Sequence, residues 1–183
     1  MTPDIRQALP TETRLISDVL LEAAHWLQAI GQPLWKDADL RPDRLLADVK
    51  AGLYYLACVD GEVAGVFKMQ DEDAVFWPDV PVGESIFIHR IAIRRKFAGG
   101  QVTTAMVDYA KQTTAAMGKR FLRLDCASRP KLCRTYESQG FLKHSERQVG
   151  PYLVTRYQFE ITTANNRAPL GDSRVTFPGK KKN

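Results

Sequence analysis

Seven consecutive residues of this chain, Ala98-Gly99-Gly100-Gln101-Val102-Thr103-Thr104, have the makings of an anion cradle. Glycines let the backbone come close to a ligand. The first turn of the helix that follows offers N–H groups with no partner inside the helix, together with the positive end of its dipole. A pyrophosphate suits such a place, although two glycines before a helix also serve as a plain tight turn. The segment is neither a triphosphate loop, which needs Gly-Lys-Ser/Thr, nor the Gly-x-Gly-x-x-Gly dinucleotide fingerprint. The basic run just before it, Arg94-Arg95-Lys96, either meets phosphates or lies solvated. Cys58, Cys126 and Cys133 follow no zinc-type spacing and read as reduced structural thiols, and no metal site is expected.

These residues need elements to position them. Asp4 to Leu9 predicts a short strand ended by Pro10. Leu15, Ile16, Val19, Leu20, Ala23, Ala24, Leu27 and Ile30 recur at helical spacing, so a long amphipathic helix is expected, with Thr11 at its N-cap and Gly31 closing it. Pro42 opens a shorter helix carrying Leu45, Leu46 and Val49. The period then turns extended: Leu53 to Val59, the Asp60-Gly61 turn and Val63 to Met69 make a hairpin. Ser85 to Ile93 is a strand, Gln101 to Met117 a helix, Phe121 to Cys126 a strand, and Pro130 to Gly140 a helix. Phe141 to Ser145 and Tyr152 to Thr162 are the last two strands. The order β-α-α-β-β-β-α-β-α-β-β predicts an α/β (α+β) fold around one mixed, mostly antiparallel sheet with helices on both faces. The strands at Ser85 and Phe121 form a right-handed parallel crossover. This puts the glycine loop at a strand's carboxyl end, where ligands of such sheets collect.

The length of 183 residues predicts one domain, residues 1–162, and a flexible basic tail, 163–183. With 44% hydrophobic and 26% charged residues, and no run of about 18 apolar residues, the composition is that of an ordinary globular chain without a membrane span. The first residues lack a basic start and an apolar run, so a cytoplasmic location and no membrane partner are expected. The net charge of +5 owes most to the tail, where Arg167, Arg174, Lys180, Lys181 and Lys182 face Asp172 alone. A nearly neutral body argues against a nucleic-acid groove, and no nucleic-acid partner is expected.

Three blocks occur in an order that resembles the GNAT-type N-acetyltransferase superfamily: His89-Arg90-Ile91-Ala92-Ile93-Arg94-Arg95 with its loop and helix, Leu122-Arg123-Leu124-Asp125-Cys126, and Tyr136-Glu137-Ser138-Gln139-Gly140-Phe141. The last is similar to the family's Tyr-x-x-x-Gly-Phe block. The resemblance implies a GNAT-like acyltransferase domain with acetyl-CoA as co-substrate. It implies that the backbone of Ile91, Ala92 and Ile93 binds the pantetheine arm and acetyl carbonyl. It further implies that Ala98, Gly99, Gly100, Gln101, Val102, Thr103 and Thr104 hold the pyrophosphate, and that Tyr136 is the general acid. His89 occupies a strand position that holds a base in some members, and an imidazole suits that task; a core histidine satisfied by its neighbours is the other reading of it. The reaction implied is direct acetyl transfer to the amine of a small-molecule or protein acceptor. Homodimers are frequent in the family, but no feature of this sequence demands one. The loop departs from the family's Arg/Gln-x-x-Gly-x-Gly/Ala at Ala98, Gln101 and Thr103, so a non-catalytic binding module of the same fold is the alternative.

Overall fold

A computed structural model describes residues 2–162; the basic tail expected over 163–183 lies outside the described residues. In chain order the elements are β1 (Asp4–Gln7), α1 (Thr13–Ala29), α2 (Pro42–Lys50), β2 (Tyr54–Val59), β3 (Glu62–Gln70), β4 (Ser85–Ile93), α3 (Gln101–Ala116), β5 (Phe121–Ala127), α4 (Pro130–Ser138), β6 (Leu142–Val149) and β7 (Tyr152–Glu160). The strands form a seven-stranded sheet in the order β1-β2-β3-β4-β5-β7-β6. Pairs β1–β2, β2–β3, β5–β7 and β6–β7 are antiparallel, and β4–β5 is parallel. The mixed α/β order read from the sequence is the observed one.

Two departures from the expected boundaries have a visible physical cause. Thr11 does not cap α1: Pro10–Glu12 forms a single 3-10 turn and Thr13 opens the helix. The Glu12 carboxylate reaches back to the Leu9 N–H at 2.8 Å and is held there by Arg6, so the turn starts earlier than a threonine cap allows. Strand β6 continues beyond Ser145 to Val149, because its pairing with β7 runs on to the turn at Val149↔Tyr152.

By compactness the described residues fall into two units, 2–68 with 90–106, and 69–89 with 107–162. In the first, α1 lays its apolar stripe, Ile16, Val19, Leu20 and Ala23, in one cluster with Leu45 and Val49 of α2, Leu56 of β2 and Val66 of β3. Gly65 is the point of closest approach in this unit. A Cβ there would stand 2.7 Å from the Ala92 carbonyl oxygen and 2.5 Å from Met106 Cε, so only glycine lets these backbones meet. Arg90, in β4, has φ +51, a left-handed conformation that costs a side-chain-bearing residue about 1–3 kcal/mol. It breaks the strand's alternation just before Ile91.

In the second unit β5 is the central strand. It pairs with β4 at Ser85↔Phe121, Ile86↔Leu122 and Phe87↔Arg123, and with β7 from Phe121↔Glu160 to Ala127↔Val154. The irregular stretch between β3 and β4 is pinned by two buried arginines. Arg156 binds Asp79 through both terminal nitrogens, at 2.5 and 2.9 Å, and Arg123 binds Glu84 at 2.8 Å and Ser85 Oγ at 2.5 Å. Trp77, 2% exposed, lies beneath both guanidinium groups. It is therefore part of the core.

Candidate active site

The first unit holds the glycine loop. Gly99 and Gly100 have φ of +145° and +95°, and a Cβ on either would meet nothing within 4 Å. Backbone conformation, not crowding, demands glycine here, and the space beside the loop is open. The Thr104 N–H bonds to the Gly100 carbonyl at 2.9 Å, which leaves the N–H groups of Gln101, Val102 and Thr103 ahead of the helical ladder. Gln101 is exposed and Val102 buried. The neighbouring basic run is partly neutralised: Arg94 pairs with Glu22 at 2.7 Å and donates to the Val63 carbonyl, Lys96 pairs with Glu62, and Arg95 stacks on Trp26 at 3.9 Å.

The second unit holds the titratable groups. His89 sits on β4 two positions beyond the last parallel pair with β5. Continuing that register puts it opposite Asp125, and their shortest contact, Nδ1 to Oδ1, is 3.5 Å. Asp73, from the stretch after β3, approaches the other ring edge, with Oδ2 3.2 Å from Nε2. The Gln70 amide nitrogen lies 3.3 Å from the same Nε2, and the Phe76 ring is tilted against the imidazole. All three ionisable side chains are largely removed from water, at 15% exposed for His89, 4% for Asp73 and 11% for Asp125. Asp73 Oδ1 accepts the N–H groups of Val75 and Phe76, which fixes its carboxylate, whereas Asp73 Oδ2 and Asp125 Oδ1 are buried with no aligned donor. The 3.2 Å contact is thus a close approach and not a well-directed hydrogen bond.

Burial pushes the Asp125 carboxyl up to about 6, with Asp73 adding to the effect and His89 opposing it. Burial works the same way on Asp73, but its bond to His89, the His89 charge and the two backbone N–H groups outweigh it and hold this carboxyl below its ordinary value. Two carboxyls beside one imidazole are therefore driven in opposite directions, a pattern typical of proton-handling sites. Tyr136, on α4, is buried between Phe141 and Tyr157. Burial, then Cys126, Asp125 and Cys133, raise its phenol, so Tyr136 keeps its proton at neutral pH. Cys126 is buried and its thiol is raised by that burial, in keeping with a reduced structural thiol.

The model of the acetyltransferase (GNAT) family matches residues 20–141, which is well over half of the chain. The chain belongs to the GNAT acetyltransferase family. The uncharacterized N-acetyltransferase YesJ of Bacillus subtilis (strain 168) is 27% identical over 129 residues, covering 66% of this chain and 71% of its own. A GNAT-family acetyltransferase structure from Listeria monocytogenes 4b F2365 superimposes with a TM-score of 0.73 at 24% identity, covering 86% of this chain and 94% of that one. The yncA structure from Salmonella typhimurium, with its cofactor acetyl-CoA, gives a TM-score of 0.66 at 16% identity and covers 89% and 96%. These likenesses establish the GNAT fold, with its parallel β4–β5 pair.

Within this GNAT chain, sequence reasoning named His89 and Tyr136 but missed Asp73 and Asp125 as partners of the histidine. Asp125 was open to detection, since the predicted parallel pairing, once given its register, sets it opposite His89. Asp73 stands in an irregular stretch with no periodicity, and nothing in the sequence pointed to it. Among the described residues no helix is long and apolar enough to cross a membrane.

Proposed function

We propose that this GNAT protein is an acetyl-CoA-dependent N-acetyltransferase that passes the acetyl group directly to an amine, with His89 as the base and Tyr136 as the acid. The observation that carries this reading is that one unit offers both a buried imidazole flanked by carboxylates and a buried phenol that stays protonated. Membership of the family supports it, and so does the yncA structure, which holds acetyl-CoA.

The loop fits the co-substrate's anionic part: Gly99 and Gly100 leave open space, and the N–H groups that follow stand free of the helical ladder. In this reading the N–H groups from Ala98 to Thr104 hold the pyrophosphate and the backbone of Ile91, Ala92 and Ile93 holds the pantetheine arm. A backbone N–H aimed at the acetyl oxygen stabilises negative charge as it develops there. Acetyl-CoA, when bound, supplies an acyl group activated as a thioester. An ammonium has no lone pair to attack with, so His89 removes one proton. The departing thiolate needs one, and Tyr136 gives it.

Calorimetric titration with acetyl-CoA, followed by thiol release measured over a panel of small amines and amine-bearing peptides, tests the proposal. Heat of binding together with amine-dependent thiol release is expected. Correctly folded protein that gives neither heat nor thiol would overturn it in favour of the non-catalytic module. Gln101→Gly separates the two readings of the altered loop. Affinity that tightens in this variant identifies the glutamine as an obstruction, and unchanged affinity shows that the native backbone already serves.

A further inference from the structure

We propose that Asp73 and Asp125 are positioning residues for His89, so that the proton-accepting group is the three-residue cluster and not a lone imidazole. The inference rests on the reading of His89 as base and extends it to two residues from other segments. Each carboxylate makes its shortest approach to a different ring nitrogen: Asp73 Oδ2 to Nε2 at 3.2 Å, and Asp125 Oδ1 to Nδ1 at 3.5 Å.

Asp73 is fixed by two backbone N–H groups and so holds its other oxygen against the ring. An aspartate aligns an imidazole in this way in other general-base sites. Proton transfer from the acceptor breaks one N–H bond of the ammonium and leaves its electron pair on the amine nitrogen. A new N–H bond forms at the imidazole. The imidazolium so produced faces both carboxylates, and Asp125 Oδ1, a buried acceptor with no aligned donor, meets that developing charge. The charged and titratable groups around the ring are Asp73 from the stretch after β3 and Asp125 from β5. Arg156 from β7 lowers Asp125; Tyr136 from α4 and Cys126 of β5 lie near the same carboxyl. Gln70 and Phe76 complete the surroundings without charge.

The same three side chains offer ligand atoms within 4.8 Å of one another, a spacing that would also admit a metal ion.

The test is 1H–15N NMR titration of the histidine rings in the full-length protein, wild type against Asp73→Asn and Asp125→Asn, with kcat/KM measured against pH in parallel. Removing either carboxylate should move the acidic limb of kcat/KM to lower pH by about one unit. Each variant should also change the balance of the two ring tautomers in the 15N spectrum. In both variants kcat should fall at least about tenfold, while KM for acetyl-CoA stays within about threefold, and Asp125→Glu should recover part of the rate. A pH profile and a ring tautomer balance unmoved in both variants would overturn the positioning role, as would stoichiometric Zn2+ binding that is lost in Asp73→Asn. Should Asp73→Asn fold poorly, Asp125→Asn alone decides. Failure of the underlying reading looks different: His89→Gln with the wild-type rate and pH profile removes His89 as base, whatever the ring titration shows.

Discussion

The proposed acid, Tyr136, stays protonated because its surroundings are dry. Burial and the neighbouring Cys126 and Asp125 disfavour the phenolate, so the proton is present at neutral pH, and the ring packing against Phe141 and Tyr157 does not need the hydroxyl. Tyr136→Phe should therefore lower kcat about 10²-fold or more while acetyl-CoA affinity changes less than about threefold, measured by steady-state kinetics and calorimetry; an unchanged kcat would take Tyr136 out of the proton inventory. Asp125 makes a prediction of the opposite kind, in stability. Its carboxyl rises from the ordinary 3.8 to about 6 on folding. Below pH 3.8 both the folded and unfolded forms are protonated and nothing is lost. As pH climbs from there to about 6 the unfolded chain ionises first, and the folded state loses stability, on the order of 1–3 kcal/mol. Urea denaturation between pH 4 and 7 should show wild type weakening against Asp125→Asn over this window, and parallel curves would sink the assignment.

The elements were legible in the sequence because their periods are clean. The stripe from Leu15 to Ile30 could only be an amphipathic helix, and Leu53 to Met69, with Asp60-Gly61 in its middle, could only be a hairpin. The cap of α1 was not legible, since Glu12 reaching back to Leu9 competes with Thr11 in a way no cap rule weighs. The site was half legible: the glycine loop, His89 and Tyr136 each sit in a recognisable block, whereas Asp73 is brought to His89 only by the anchoring of an irregular stretch through Arg156–Asp79 and Arg123–Glu84. Close backbone approach is another thing that pattern cannot reveal, and Gly65 is where it matters. Gly65→Ala forces a methyl to within 2.7 Å of the Ala92 carbonyl oxygen and 2.9 Å of Ile93 Cδ1. A cost of about 1–3 kcal/mol is expected, read as a lower urea midpoint. Because Ala92 and Ile93 belong to the segment proposed to hold the pantetheine arm, acetyl-CoA affinity should weaken with it. A variant as stable as wild type would mean that β3 and the end of β4 can move apart freely.

For the molecule as a whole, ligand binding and stability are one measurement. A ligand held by the folded chain alone, at about 100 times its dissociation constant, adds roughly 2.7 kcal/mol, which for a chain of 183 residues is a rise in Tm of roughly 5–10 °C. The two halves of the proposed machinery then give opposite results. Gly100→Ala places a side chain at φ +95°; it should lose about 1–2 kcal/mol on its own account and most of the acetyl-CoA-dependent rise, because the N–H groups that follow no longer converge. Tyr136→Phe should keep the full rise and lose turnover. Thermal unfolding of both variants with and without acetyl-CoA separates these outcomes. If Gly100→Ala kept the whole rise, the loop would not be the anion site and its glycines would serve only the turn. If Tyr136→Phe lost the rise, the phenol would be holding ligand, and its place in the proton balance would pass to another group of the same buried cluster.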